Sequence, residues 1–246
     1  MEIVKGVEIV DLALKYKDML ILGDVQLGYE ESLHAYGFFV PRFNVDEVIR
    51  RLEKIFARVS VSTVIVNGDI KHEFGRISRS EWNDTLRFLD YLAAKVQKII
   101  LVRGNHDIFL GPLAKKRNIE VVEYVQDGDV TILHGHNIIP NLTKIIIIGH
   151  EHPAVSFREK PYAKFKCFLK GRWHNKTLIV MPSFTSLTEG SDVTREEVLS
   201  PFLEHQDLGE YEVFVVEECN ETEKRGSKLA EGNVLYFGKL RELQGL

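Results

Sequence analysis

The stretch KIILVRGNHD, residues 98–107, decides the fold, because an apolar run ends there abruptly in a glycine-led polar cluster. Four further runs have the same form: MLILGD (19–24), TVIVNGD (63–69), VTILHGH (130–136) and KIIIIGHEH (144–152). Near-continuous apolar runs of this length predict strands that are buried on both faces of a sheet. The polar residues therefore gather at the carboxyl ends of the predicted strands.

Helical periodicity separates the first three of these runs. Apolar residues recur at helical spacing over 45–59, preceded by Asn44 as a cap, and again over 82–96, preceded by Ser78. This order predicts a β-α-β-α-β unit, in which the crossovers are right-handed and the first sheet is parallel.

The second half of the chain is predicted to be rich in strands, because its strand ends follow one another too closely for further helices. Residues Ala163–Leu169 and Thr177–Met181 are typical of a hairpin that turns at Lys170–Arg172. Two more strands are predicted at Tyr211–Val216 and Val234–Phe237.

Composition restricts the class of protein. The chain has 246 residues, 44% of them hydrophobic and 28% charged, and a net charge of −4. We expect a single α/β domain over 1–246, with its motifs in 19–152 and a strand-rich part in 153–246. The two cysteines form no CxxC pair, which favours a reducing interior over a disulfide framework. With no leader pattern and no apolar span, we expect a cytoplasmic protein without a membrane partner. Any binding of a polyanion must use a local patch.

Several potential metal ligands close these buried strands. Taken singly, each cluster is also a good turn sequence, because Gly, Asn and Asp tolerate left-handed backbone. Jointly they would lie along one sheet edge, where ligands usually bind. Carboxylate, amide and imidazole donors without thiolate suit Mn²⁺, Fe²⁺ or Zn²⁺, and their number exceeds what one tetrahedral zinc needs. The ordered donors are Asp24, Asp69, Asn105, His134, His150 and His152.

The series Gly-Asp-x-Gln, Gly-Asp-x-x-His, Gly-Asn-His-Asp, a single His and Gly-His-Glu-His resembles the calcineurin-like metallophosphoesterases over residues 19–152. Residues 68–72 and 182–193 resemble most the SbcD-related phosphoesterases, relatives of a DNA repair nuclease. The resemblance implies a four-layer α/β/β/α sandwich with two divalent ions, Mn²⁺ foremost. The chain is short for the repair nuclease, so we expect neither a capping domain nor an ATPase-docking segment.

The resemblance also implies a role for each motif residue. Asp24 and His152 would hold one ion, Asn105, His134 and His150 the other, and Asp69 both. His106 would orient the phosphate or protonate the leaving oxygen. His72 is either a polar residue at a helix entry or, as in the nuclease branch, a group that positions the substrate, and we favour the second role. The family usually has a histidine where this chain has Gln26, whose carbonyl oxygen is a neutral donor. We expect Asp107 and His136 to orient their neighbours.

The segment 158–176 carries seven basic residues and one acid, with aromatic residues between them. Such a run is either a solvated face or a surface for single-stranded nucleic acid beside the phosphoesterase site. Arg103 would contact phosphate or pair with a carboxylate. The candidate substrate-binding residues are Arg103, Lys164, Lys166, Arg172 and Trp173.

These observations favour a metal-dependent phosphodiesterase that acts on nucleic acid as a nuclease. One alternative is a small-molecule phosphatase or cyclic-nucleotide phosphodiesterase. A second alternative is a scaffold or regulator whose metal site is impaired by Gln26.

Overall fold

The computed structural model describes residues 1–30, 37, 44–71, 79–107, 117, 119–217 and 233–243. Within these ranges two β-sheets face each other, and two helices pack on the first sheet. His72, expected to position the substrate, lies outside the described residues. No helix in the described part of the chain combines the length and the apolar character that crossing a bilayer requires.

The first sheet has seven strands arranged in sequence order. They are β1 (Glu2–Val4), β2 (Val7–Val10), β3 (Ala13–Tyr16), β4 (Met19–Gly23), β5 (Thr63–Asn67), β6 (Lys98–Val102) and β7 (Glu120–Val122). Strands β4 to β7 are parallel, as predicted, but β1 to β4 pair antiparallel. The prediction of a parallel first sheet is therefore confirmed for β4 to β7 and wrong for β1 to β4. The first three strands are only three or four residues long and are joined by two-residue turns, which left too little pattern to detect.

Two amphipathic helices connect the parallel strands, as the apolar spacing predicted. Helix α1 (Asn44–Phe56) buries Val48 and Leu52, and helix α2 (Arg79–Lys95) follows β5. The side chain of Asn44, the first residue of α1, donates a hydrogen bond of 3.1 Å to the carbonyl oxygen of Gln26. The first crossover helix is thereby joined to the loop that follows β4.

The second sheet is larger and mixed. Its strands are β8 (Tyr124–Asp127), β9 (Val130–Leu133), β10 (Ile145–Ile148), β11 (Pro153–Phe157), β12 (Lys160–Trp173), β13 (Lys176–Val180), β14 (Ser191–Asp192), β15 (Glu212–Val216) and β16 (Val234–Lys239). Strands β9, β10 and β13 are parallel, and β12 pairs antiparallel with β11, β13 and β15. The hairpin turn predicted at Lys170–Arg172 is wrong, because these residues pair with β13 and the turn follows Trp173.

The core separates into two apolar clusters by strand alternation. Ile147 and Ile179 pack toward the first sheet, whereas Ile146 and Leu178 belong to the cluster on the outer face of the second sheet. Phe202 and the short helix α3 (Leu240–Leu243) contribute to that outer cluster. The layering is that of an α/β sandwich, as predicted, and it brings the carboxyl ends of the parallel strands of both sheets together.

Candidate metal centre

The candidate ligands follow the carboxyl ends of parallel strands from both sheets. Asp24, Asp69 and Asn105 lie just after β4, β5 and β6 of the first sheet. His134 and His150 lie just after β9 and β10 of the second sheet. Because the two sheets stack face to face, these loops from distant parts of the sequence meet at one edge of the sandwich.

The backbone at this edge is left-handed at several non-glycine residues. Asp24, Gln26, Asp69, His150 and His152 have φ angles of 45°, 48°, 33°, 65° and 50°. Such conformations cost about 1 kcal/mol or more for each residue and persist only where the surrounding structure fixes them. Of the ten non-glycine residues with positive φ that the structure describes, five therefore lie where the chain turns its polar side chains into this site.

One group of donors is formed by Asp69, His134 and His150, whose potential ligand atoms all lie within 4.8 Å of one another. The Oδ1 atom of Asn105 is 3.0 Å from Nε2 of His134. The same Nε2 atom is 3.5 Å from Oδ2 of Asp69. A carboxylate, two imidazoles and an amide oxygen are suitable ligands for a divalent transition metal.

The second predicted group comprises Asp24, Gln26 and His152, of which Asp24 and His152 are in contact. The Oδ1 atom of Asp24 lies 3.2 Å from Nε2 of His152, and Oδ2 accepts a hydrogen bond of 3.0 Å from the backbone N–H of His150. Asp24 Oδ1, Gln26 Oε1 and His152 Nε2 are all buried without a hydrogen-bond partner. A buried polar atom without a partner costs about 1–3 kcal/mol. These three unpartnered atoms are suitable metal ligands, and a bound cation would satisfy them.

Glycines in three motifs leave room for ligands of other motifs. A Cβ atom on Gly68 would lie 1.9 Å from Nδ1 of His134. A Cβ on Gly104 would lie 2.0 Å from Oδ1 of Asp69, and one on Gly149 would lie 2.3 Å from Oδ2 of Asp24. Any larger side chain at these positions would displace a ligand. Each of these glycines thus leaves the space that a ligand from a different motif occupies. The loops of the site are interlocked in this sense: a larger residue in one motif would displace a ligand of another.

His106 lies beside Asp69, the carboxylate that was expected to bind both ions. Its backbone N–H donates a hydrogen bond of 3.0 Å to Oδ1 of Asp69, and its Nε2 atom is 3.7 Å from Oδ2. The His106 side chain is 17% exposed, whereas that of Asp69 is 3% exposed. The imidazole is therefore open to solvent at the mouth of the site, where it could contact a phosphate.

Asp107 orders the loop that carries Asn105. Its carboxylate accepts hydrogen bonds from the backbone N–H groups of Gly104, at 2.9 Å, and of Ile70, at 3.2 Å. Burial, together with the negative charge of Asp69, raises the pKa of Asp107 to about 7. The orienting role expected for this residue agrees with these contacts.

The charges of Asp24, Asp69 and His134 shift protonation within the site. Burial by itself would lower the pKa of His134, but Asp24 and Asp69 outweigh it and raise the value to about 9. Burial would likewise raise the pKa of Asp69, but the hydrogen bond and charge of His134 lower it to about 2. Burial and the charge of His134 lower the pKa of His150 to about 4.

Two buried residues that the sequence did not single out hold the loops in place. Asn67 donates a hydrogen bond of 3.0 Å to the carbonyl oxygen of Leu133, and so joins the two sheets next to His134. Glu151 accepts hydrogen bonds from the backbone N–H groups of Leu199 and Ser200, at 2.8 and 2.9 Å. The signal for both was a polar residue inside an otherwise apolar or metal-binding motif.

The candidate substrate-binding residues do not form one face. Lys166 is 5% exposed, and its ammonium donates hydrogen bonds to Ser183 and to the carbonyl oxygen of Thr185. The prediction that Lys166 binds substrate is therefore wrong, because its ammonium group is buried and hydrogen-bonded inside the protein. Lys164 pairs with Glu196 at 2.6 Å, and it also donates to the carbonyl oxygen of Gly190.

Arg172 and Trp173 lie at the opposite end of the sheet from the ligands. Arg172 pairs with Thr177, which pairs with Ile145 at the start of β10. His150 lies five residues further along the chain, about 16 Å at 3.3 Å per residue. The expectation that these two residues adjoin the site is wrong. Trp173 packs instead against Phe202, with ring centroids 5.1 Å apart.

Arg103 follows β6 and forms an ion pair of 2.6 Å with Glu123. Both side chains are more than half exposed. Of the two alternatives for Arg103, the structure shows the carboxylate pair.

The chain belongs to the calcineurin-like phosphoesterases, whose family model matches residues 18–209. The protein is accordingly a metal-dependent phosphoester hydrolase with the fold that its motifs implied. None of the curated proteins matches the sequence.

The first of three similar solved structures shares this fold. The Pseudomonas putida nuclease MPE superposes with a TM-score of 0.59 at 20% identity, over 83% of this chain and 88% of that one. Yfce, a phosphoesterase from E. coli, has a TM-score of 0.38 at 12% identity, over 81% of this chain and 87% of that one. A protein of unknown function from Aquifex aeolicus has a TM-score of 0.37 at 18% identity, over 58% of this chain and 82% of that one.

Proposed function

We propose that this protein is a two-metal phosphodiesterase that cleaves nucleic acid, with Mn²⁺ as its metal. The observation that carries the proposal is that the two groups of potential ligands adjoin, with Nδ1 of His134 3.4 Å from Oδ1 of Asp24. The oxygen atoms Oδ1 of Asp24 and Oε1 of Gln26 are also buried without a hydrogen-bond partner. Oxygen and nitrogen donors without thiolate favour Mn²⁺ over softer ions.

We assign the candidate ligands to two metal ions. Asp24, Gln26 and His152 would hold one ion, and Asn105, His134 and His150 the other, with Asp69 shared between them. When bound, paired divalent ions supply Lewis-acid stabilisation of the phosphoryl charge and activate water. The backbone N–H of His106 fixes the orientation of the shared carboxylate.

His106 is placed to act on the substrate directly. Its Nε2 atom lies 3.7 Å from Oδ2 of the shared Asp69, and its side chain is 17% exposed. From that position the imidazole can hydrogen-bond a phosphoryl oxygen or donate a proton to the leaving oxygen. In the hydrolysis of a diester the departing alkoxide is a poor leaving group. A proton donor at this position helps it to leave as the alcohol.

A panel of substrates tests the proposal. We expect purified protein with Mn²⁺ to hydrolyse a chromogenic phosphodiester and labelled oligonucleotides, and to lose both activities in excess chelator. Asp69→Asn should abolish both, because it weakens the ligand assigned to both ions. Activity that survives chelation would contradict the metal mechanism. Preference for a monoester over every diester would favour a small-molecule phosphatase. Hydrolysis of cyclic nucleotides alone would favour a cyclic-nucleotide phosphodiesterase.

Metal content separates the enzyme from the scaffold. Elemental analysis after dialysis against Mn²⁺ should find close to two ions per chain in the wild-type protein. Absence of bound metal together with absence of turnover would support the scaffold alternative.

A further inference from the structure

Strand β12 divides the basic segment between the two ends of the second sheet. Leu169 on β12 pairs with Val180, the last residue of β13, which runs parallel to β10. Because β12 is antiparallel to both, the part before Leu169 extends past the sheet end where His150 follows β10. The part after Leu169 runs toward the other end. Only the first part can adjoin the metal centre.

That first part forms a two-stranded ribbon, which we define as residues 153–166. Its first strand, β11, begins directly after His152, and Ala154 pairs with Lys166. The tip turns at residues 158–159, where Phe157 pairs with Lys160. From His152 to Arg158 the chain covers six residues, at most about 20 Å. The tip therefore stays within about 20 Å of a metal ligand.

A bulge changes the direction of the side chains at the tip. The register shifts between the pairs Ser156–Lys164 and Phe157–Lys160, so residues 161–163 of β12 have no partner on β11. Such bulges reorient side chains at sheet edges and next to active sites. Tyr162, in the middle of this bulge, is 96% exposed.

The chemistry of the tip is cationic and aromatic. Arg158 and Lys160 are both exposed, and neither has an ion pair or hydrogen bond from its side chain to any residue that the structure describes. Phe157 packs against Phe165 and Phe237, with centroid distances of 5.2 and 5.0 Å, which fixes the base of the tip. Glu159, the one acid of the tip, lies between the two cations, and the exposed Tyr162 follows them. Two cations beside an exposed aromatic ring can bind a phosphate backbone and stack a base.

We propose that the ribbon tip, residues 158–162, binds single-stranded nucleic acid and guides it to the metal centre. This inference rests on the proposed function. Arg158 and Lys160 contact backbone phosphates, and the Tyr162 ring stacks on an unpaired base. Since the protein carries a net charge of −4, binding of a polyanion depends on this local patch.

Fluorescence anisotropy with a labelled single-stranded DNA oligonucleotide in a chelating buffer tests the ribbon without hydrolysis. We expect Tyr162→Ala to raise the Kd about five- to hundredfold, and Tyr162→Phe to stay near wild type because the ring is kept. The double variant Arg158→Ser, Lys160→Ser should reduce the slope of log Kd against log salt by about 1.4, or 0.7 for each lost phosphate contact.

Arg172→Ser is the matched control, since Arg172 is also exposed but lies at the opposite end of the sheet. It should leave oligonucleotide affinity within about twofold of wild type. An unchanged Kd in the Tyr162→Ala and double variants, or an equal loss in Arg172→Ser, would overturn the ribbon proposal.

Hydrolysis of a small chromogenic diester with Mn²⁺ keeps the two proposals apart. The ribbon variants should retain this activity, because it needs only the metal centre. If wild-type protein hydrolyses no phosphodiester yet binds DNA through the ribbon, the proposed function fails while the ribbon stands. If it cleaves oligonucleotides but the ribbon variants bind them normally, the ribbon proposal fails and the function stands.

Discussion

The ammonium group of Lys166 lies 3.0 Å from both the carbonyl and the hydroxyl oxygen of Ser183. The next residue, Phe184, donates its backbone N–H to the carbonyl oxygen of Gly23 at 2.8 Å. Thr185, which also accepts from Lys166, donates to the side chain of Asn44 at 2.8 Å. A lysine on the second sheet therefore positions a segment that borders the loop after β4, where Asp24 lies.

Lys166→Met should destabilise the protein without affecting nucleic-acid binding. The carbonyl oxygens of Ser183 and Thr185 would remain buried without a donor, at a cost of about 1–3 kcal/mol. We expect Tm to fall by about 2–12 °C in thermal unfolding, and oligonucleotide affinity to stay within about twofold. Lys164→Met, which breaks a more exposed pair with Glu196, should cost at most about 1 kcal/mol. Equal losses of stability in the two variants would contradict this assignment.

Gln26→His should strengthen binding of the ion held by Asp24 and His152. The Oε1 atom of Gln26 is buried without a hydrogen-bond partner, whereas an imidazole nitrogen is a stronger ligand for transition metals. Calorimetric titration of the metal-free protein with Mn²⁺ should show a lower Kd for the weaker site. Gln26→Leu, with no donor atom, should weaken the same site. If neither change moves the titration, the side chain of Gln26 does not ligate.

His106→Ala should separate chemistry from metal binding. We expect two bound ions by elemental analysis and a loss of about 10²- to 10⁴-fold in kcat for a diester, the usual range for a positioned acid or base. A diester with a strongly activated leaving group should lose less, because it needs no proton donor. Loss of one ion would instead assign His106 as a metal ligand.

Gly149→Ala should damage the metal centre through Asp24. The added Cβ would lie 2.3 Å from Oδ2 of Asp24, so the carboxylate must shift. We expect metal affinity to fall at least tenfold. Gly6→Ala is the control: it has open space around it and a φ of +83°, so it should cost about 1 kcal/mol of stability and leave metal binding unchanged. Unaltered metal affinity in Gly149→Ala would show that the loops are not interlocked.

The ordered motifs made much of the metal centre predictable. Buried strands that end in Asp24, Asp69, Asn105, His134 and His150 predicted one shared edge, and the structure places these side chains there. The inference worked because parallel strands necessarily present their carboxyl ends on the same side of a sheet. The same inference could not predict the close approach of Gly68, Gly104 and Gly149 to the ligands, because these contacts join residues from different motifs.

The sequence by itself determined the crossover unit, the family and the donor set, because local hydrophobic periodicity and residue chemistry are properties of short stretches. The tertiary structure alone decided which basic residues face solvent. Lys166 is buried and Tyr162 is 96% exposed, although they are four residues apart on one strand. Their environments depend on which segments pack against β12, and that packing is formed by residues far away in the sequence. Charge and aromatic content could therefore indicate the basic segment as a candidate surface. Only the packing of the second sheet decided which of its residues lie near the metal centre and which lie at the opposite end.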